Sequence, residues 1–207
     1  MNTRVQWILR QVGMLYRRYG IKSVTMDDVA SHLGISKKTL YEHFQDKEDI
    51  VMQVLNLQYE QRCAMMESVI GQNLDAVAEM FGIFSRVREM FRENNPSMEY
   101  DVRKYYPDLY NRFRKMHREW MCSLIQSNLE KGKKDGLYRR ELNIGIISRL
   151  FVSRIEITPE NDLFSAEEIM SKEVLYEVFV YHLFGILSDK GRKAFKTGLA
   201  TYFSGLV

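Results

Sequence analysis

Only three prolines interrupt the 207 residues, so long stretches can run as helix without losing a backbone donor or meeting a ring clash. Runs of Val, Ile and Thr are also few, while Leu, Met, Lys, Glu and Arg are common throughout, a balance that favours an all-helical chain over a sheet. Cysteine is limited to Cys63 and Cys122, too far apart for a Cys-x-x-Cys metal or redox unit and too few for a disulfide framework. They read as reduced, structural thiols, with a redox-sensing pair as the alternative. No stretch approaches the roughly 18 consecutive apolar residues of a membrane span, because charges interrupt every candidate helix, and no membrane partner is expected. The first twenty residues scatter arginines and contain no apolar core with a small-residue cleavage site, so no secretory signal is read there and the cytoplasm is the expected location.

Catalytic signatures are missing as well. The four histidines, His32, His43, His117 and His182, have no metal-ligand spacing, and neither His-Glu-x-x-His, Gly-x-Ser-x-Gly nor a glycine-rich phosphate loop occurs. No metal, cofactor or enzymatic activity is expected.

What remains is an ordinary globular composition, 45% hydrophobic and 28% charged, at a length that suits one compact domain or two small ones sharing a core. The formal net charge of +3 is unevenly spread. Residues 1–46 carry Arg4, Arg10, Arg17, Arg18, Lys22, Lys37 and Lys38 against Asp27, Asp28, Glu42 and Asp46, whereas residues 47–70 are net acidic. A positive excess of that size marks a candidate nucleic-acid surface only if a motif accompanies it.

A motif does. Val5, Ile8, Val12, Leu15 and Tyr19 recur at three- and four-residue intervals, predicting an amphipathic first helix that stops at Gly20. Thr25, three residues before Asp28, predicts an N-cap with an acidic partner for a short helix from Met26 to about Leu33. Gly34 ends it with a residue tolerant of the left-handed conformation. Ser36 caps a third helix, Lys37 to Phe44, and a fourth, long helix follows the Gln45-Asp46 break. Two short helices joined by a turn of about three residues containing Gly have the spacing of a helix-turn-helix, which the basic first helix braces. In the third helix only Leu40 and Phe44, four apart, anchor inward. Its remaining residues are polar or amphipathic, leaving one face for a partner.

Thr25, the turn Ala30-x-x-Leu33-Gly34-Ile35-Ser36, the segment Thr39-Leu40-Tyr41-x-His43-Phe44 and the opening Lys47-Glu48 of the fourth helix together resemble the DNA-binding domain of TetR-type transcriptional regulators, over residues 4 to about 52. The resemblance implies an all-α protein with a three-helix DNA-binding domain at residues 1–50, a fourth helix at about 47–70 that connects, and a larger effector-binding and dimerisation domain at 51–207. Candidate DNA-contacting residues follow. Ser36 and Thr39 lie near a helix N-terminus, where the dipole favours phosphate. Lys37, Lys38 and Lys47 supply charge for phosphate neutralisation, and Thr25 combines a cap with a phosphate contact. Tyr41 and His43 are carried over as backbone-contacting residues. Lys38 departs from the small residue common at its position in the family.

The rest of the chain predicts helices at Asn73–Arg92, closed by Asn94-Asn95-Pro96, at Glu99–Tyr105, from Pro107 to about Lys131, from Ile144 to about Ile157, and at Val174–Leu187. Aromatic residues are dense here. Most fill a core, and the resemblance implies that some line an effector pocket: Phe81, Phe84, Phe91, Tyr106, Tyr110, Phe113, His117, Trp120 and Phe151, suited to an apolar or aromatic small molecule. The last two helices are apolar on more than one face, as expected for burial against a second copy, and Gly185 would permit close helix approach. The expected partners are double-stranded DNA, a homodimeric copy and a small-molecule effector. The expected role is a repressor released from a palindromic operator. A helical ligand carrier or interaction protein, its hairpin purely structural, is the alternative.

Overall fold

The computed structural model describes residues 3–93, 96–155, 164, 165, 168 and 171–202. Among these it holds ten helices: α1 (Thr3–Tyr19), α2 (Met26–Leu33), α3 (Lys37–Tyr41), α4 (Lys47–Ile70), α5 (Ala76–Glu93), α6 (Pro96–Tyr105), α7 (Pro107–Lys134), α8 (Ile144–Ile155), α9 (Lys172–Ile186) and α10 (Asp189–Tyr202). The described residues form no strand, only an isolated bridge between Tyr138 and Leu187, so the fold is all-α. Two compact units emerge, one of Met1–Ala64 with Asn94–His117 and one of Met65–Glu93 with Arg118–Val207. By packing, the unit that holds the helix-turn-helix is therefore larger than the residues 1–50 of the motif, because α6 and the start of α7 belong to it.

In the first unit α1 buries Ile8, Leu9, Val12, Leu15 and Tyr16, and Val24, Val29, Leu40, Phe44, Ile50, Val51 and Val54 close the same core with Met98, Val102 and Leu109. Each such side chain contributes on the order of 1.5–3 kcal/mol by leaving water. Tyr19 differs from its expected inward place. It is the last residue of α1 and is 52% exposed, with the Arg18 guanidinium 5.1 Å from its ring centroid, while Tyr16 takes the buried position. Helix α3 is shorter than the periodicity predicts, ending at Tyr41, and Leu40 is its one buried residue. The following turn keeps Phe44 inward through a backbone N–H donated to the Leu40 carbonyl.

In the second unit Phe81, Phe84, Phe179 and Phe195 meet at the centre. Phe84 stacks on Phe179 at 4.1 Å and Phe81 on Phe195 at 5.3 Å. Helix α5 begins at Ala76, three residues later than expected, because Asp75 caps it: its Oδ1 accepts from the backbone N–H groups of Val77 and Ala78. Pro96 starts α6 rather than closing α5, as suits a residue with no N–H to lose in a first turn. Asn94, Asn95, Ile157 and the side chain of Phe91 lie outside the described residues.

Candidate nucleic-acid interface

The helix-turn-helix is built from local hydrogen bonds at its termini. Thr25 is the N-cap of α2: its Oγ1 accepts from the Asp28 N–H at 3.1 Å, and an Asp28 carboxylate oxygen accepts from the Thr25 N–H at 2.8 Å and from the Thr25 hydroxyl at 2.7 Å. This reciprocal box satisfies donors that the first turn of a helix leaves open. The hydrogen bonds from Thr25, side chain first, hold the Asp28 carboxyl below its ordinary range. At the other end Gly34 takes φ 65°, the left-handed region, and the Gly34 and Ile35 N–H groups close onto the Ser31 and Ala30 carbonyls. Two residues later Ser36 caps α3, its Oγ accepting from the Thr39 N–H at 3.0 Å and lying 2.8 Å from the Thr39 hydroxyl.

The sequence-derived contact residues therefore fall into two groups. Ser36, Lys37, Lys38, Thr39 and Tyr41 are brought together on the short α3, where Leu40 alone points into the core. Lys37 and Lys38 are exposed and Tyr41 is 45% exposed. Lys37 is held by Asp27, Nζ to Oδ2 at 3.0 Å, a bond that raises its pKa, so a phosphate must compete with a solvent-exposed carboxylate for it. No ion pair among the described residues holds Lys38. His43 is half-buried, with its ring edge-on to Phe44 at 6.3 Å.

Lys47 forms the second group with Thr25. It opens α4, its ammonium donates to the Lys22 carbonyl at 3.3 Å, and partial burial lowers its pKa against the opposing charges of Asp101 and Asp28. Periodicity missed the contribution of α6 to this region. The Lys22 N–H donates to Asp101 Oδ2 at 3.0 Å across 79 residues of sequence, and the Lys22 ammonium lies 4.5 Å from the Tyr105 ring centroid. No local signal reports a partner so distant in the chain.

The candidate effector residues divide between the units. Tyr106, Tyr110 and Phe113 pack on the first core, and His117 belongs to the same unit. Burial, with the Arg62 charge adding, pushes the His117 imidazole down to about 4. Phe81, Phe84 and Phe151 are buried within the second core, with Trp120 against it. Phe151 lies 4.3 Å from the ring of His182, a buried residue that periodicity did not single out.

Residues 8–54 match the family model of bacterial regulatory proteins of the tetR family. Over 146 residues the chain is 23% identical to a protein named HTH-type transcriptional repressor KstR2 from Rhodococcus jostii, covering 65% of this chain and 68% of that one. Its fold is similar to that of a transcriptional regulator from Cytophaga hutchinsonii, with TM-score 0.72, 17% identity, and 90% and 100% of the two chains covered. It is also similar to that of the ketosteroid transcriptional regulator KstR2 of Mycobacterium tuberculosis, with TM-score 0.57, 17% identity, and 91% and 97% covered. The alternative of a carrier with a merely structural hairpin does not fit these matches. Residues 8–54 are a tetR-family DNA-binding domain, and the chain that carries them is a DNA-binding transcriptional regulator.

Proposed function

We propose that the protein is a homodimeric transcriptional repressor that binds a palindromic operator and is released from it by a small apolar or aromatic effector. One observation carries the DNA-binding part. A five-residue helix, capped at Ser36 and with Leu40 as its one buried residue, leaves Lys37, Lys38 and Tyr41 exposed among the described residues, with Thr39 half-buried beside them. Those side chains suit a major groove and its flanking phosphates, and Thr25, His43 and Lys47 are the proposed backbone contacts beside them.

Dimerisation is supported by apolar side chains left in water on two helices of the second unit. Ile146 and Leu150 stand one turn apart on α8, Tyr181 and Phe184 lie on α9, and Gly185 has open space around it. A two-fold dimer supplies one recognition helix for each half-site of a palindrome. The effector reading rests on the aromatic density around Phe81, Phe84, Trp120 and Phe151. The name of the relative supports repression as the direction of control.

Selection of bound duplexes from a random pool tests the reading. The expected result is an enriched palindrome bound with affinity that falls steeply with salt, because several phosphates are neutralised per site. A ligand screen for release from that duplex tests the effector, and sedimentation at micromolar concentration tests the dimer. A protein that enriches no duplex and shows no salt-dependent binding overturns the proposal.

A further inference from the structure

The loop between α1 and α2, residues Gly20–Thr25, carries the helix-turn-helix on the bracing helix, and α6 holds it at several atoms. The Lys22 N–H donates to Asp101 Oδ2 at 3.0 Å. A Cβ added to Gly20, whose φ is +79°, would lie 2.9 Å from that same oxygen, so the glycine allows both the turn and the close approach of the carboxylate. The Lys22 side chain lies over Tyr105, 4.5 Å from the ring centroid, and the Lys22 carbonyl accepts from Lys47 of α4 at 3.3 Å. The N–H, carbonyl and ammonium of one loop residue are thus each engaged by a different group, and two of these groups belong to α6. Helix α6 is no part of the helix-turn-helix, and the family match ends at residue 54.

We infer that Asp101 is a positioning residue for DNA binding, fixing the Gly20–Lys22 loop and with it the start of α2 and the Lys47 end of α4. The inference rests on the reading of residues 8–54 as the DNA-binding domain. It makes a prediction opposite in sign to bare electrostatics. Removing a carboxylate near a DNA-binding surface weakens repulsion and should tighten binding, whereas losing the bond that sets the loop geometry should weaken it.

The test uses the full chain and the duplex that the wild-type protein selects from a random pool. Asp101→Ala should weaken binding about tenfold, the loss of a hydrogen bond to a charged group, with an unchanged salt slope because Asp101 meets no phosphate. Asp101→Asn, which keeps an acceptor oxygen, should restore affinity to within about threefold of wild type. Asp108→Ala, an exposed carboxylate at the start of α7, should leave binding unchanged or tighter. An Asp101→Ala protein that binds as tightly as Asp108→Ala overturns the inference alone, whereas wild-type protein that selects no duplex overturns the DNA-binding reading with it. Amide exchange at Lys22 in Asp101→Asn gives a second readout that does not depend on the alanine variant folding. Protection retained together with affinity supports the inference, and protection lost while affinity stays intact overturns it.

Discussion

The two units dispose of their polar groups in different ways. In the first, polar side chains of the helix-turn-helix stand at helix termini in water, as Thr25, Asp28 and Ser36 do, and the described core beneath them is apolar apart from the Tyr16 hydroxyl. In the second, Glu79, Asn128, Ser148 and His182 are buried. Two of the helices, α5 and α7, and Tyr138 in the segment after α7 are joined there through side chains. Asn128 Nδ2 donates to the Ala76 carbonyl and to Glu79 Oε1, each at 2.9 Å. The Tyr138 hydroxyl lies 2.9 Å from both that carbonyl and Asn128 Oδ1, and Lys131 pairs with Glu79 at 2.7 Å. Surface caps fix where a helix begins at modest energy, while a buried network fixes how helices register and is costly to leave incomplete.

The sharpest break of this contrast is Asn128→Leu. It strips Glu79 of one of its two partners in a site where the carboxylate is almost wholly buried. The expected loss is about 3 kcal/mol, the penalty for a buried charged group left short of hydrogen bonds. Denaturant unfolding should show it as a lower midpoint at unchanged slope. A loss no larger than that of a surface cap would mean that the network contributes nothing beyond its packing.

Acid acts on the second unit through its buried histidine. Burial, with Arg154 adding, pushes the His182 imidazole down to about 3 in the folded chain, against an ordinary value near 6.5. The folded state keeps this group neutral while the unfolded state takes up a proton. Stability therefore falls as pH drops below about 6.5 and stops falling below about 3. Between pH 7 and pH 5 the loss from this one group is about 2 kcal/mol, and His182→Leu should remove that part of the dependence. An unaltered pH profile in the variant would place the sensitivity elsewhere, with His117 of the first unit the next group to replace.

Legibility in the sequence follows the same division. Caps are local: Thr25 three residues before Asp28, Gly34 after Leu33 and Ser36 before Lys37 all announce themselves within four residues, and the structure puts them where they were read. The helical class followed from scarce proline and from periodicity for a similar reason. The bonds from Asn128 to Glu79, from Tyr138 to the Ala76 carbonyl and from Lys22 to Asp101 span 49, 62 and 79 residues, and periodicity reports which face is apolar, not which polar residue crosses a core. The aromatic residues show the limit from the other side. Phe81 and Phe84 are legible as inward-facing, but that they meet Phe179 and Phe195 depends on tertiary packing. Helix α10, with Phe195 on its buried side, left no sign strong enough to be read in advance.

Caps give a smaller effect, confined to the first unit. Ser36→Ala removes the acceptor of the Thr39 N–H and should cost about 1 kcal/mol of stability, and Thr25→Ala should cost a similar amount through the loss of its box with Asp28. The contrast with Asn128→Leu sharpens if operator affinity moves the other way around. The Ser36 variant should lose affinity for the selected duplex about tenfold, because Leu40 is the one buried residue of α3 once its cap is gone, while the Asn128 variant should bind normally at temperatures where it is folded. Equal affinities for Ser36→Ala and wild type would remove the cap from the recognition geometry.

The smallest effect is expected in the salt dependence, and it distinguishes two lysines within the first unit. Each phosphate neutralised contributes about 0.9 to the slope of log affinity against log salt. Lys38 is exposed on α3 with no ion pair among the described residues, so Lys38→Ala should flatten the slope by about one. Lys47 already donates to the Lys22 carbonyl and is partly buried beside the opposing charges of Asp28 and Asp101. Moving its ammonium to a phosphate would exchange one set of partners for another, and its approach is restrained by the loop it holds. Lys47→Ala should therefore flatten the slope by less than half as much as Lys38→Ala, while still lowering affinity through the loosened loop. Parallel salt titrations of the two variants on one duplex measure the difference. Equal flattening would show that the ammonium of Lys47 leaves its loop for the DNA backbone at no net disadvantage.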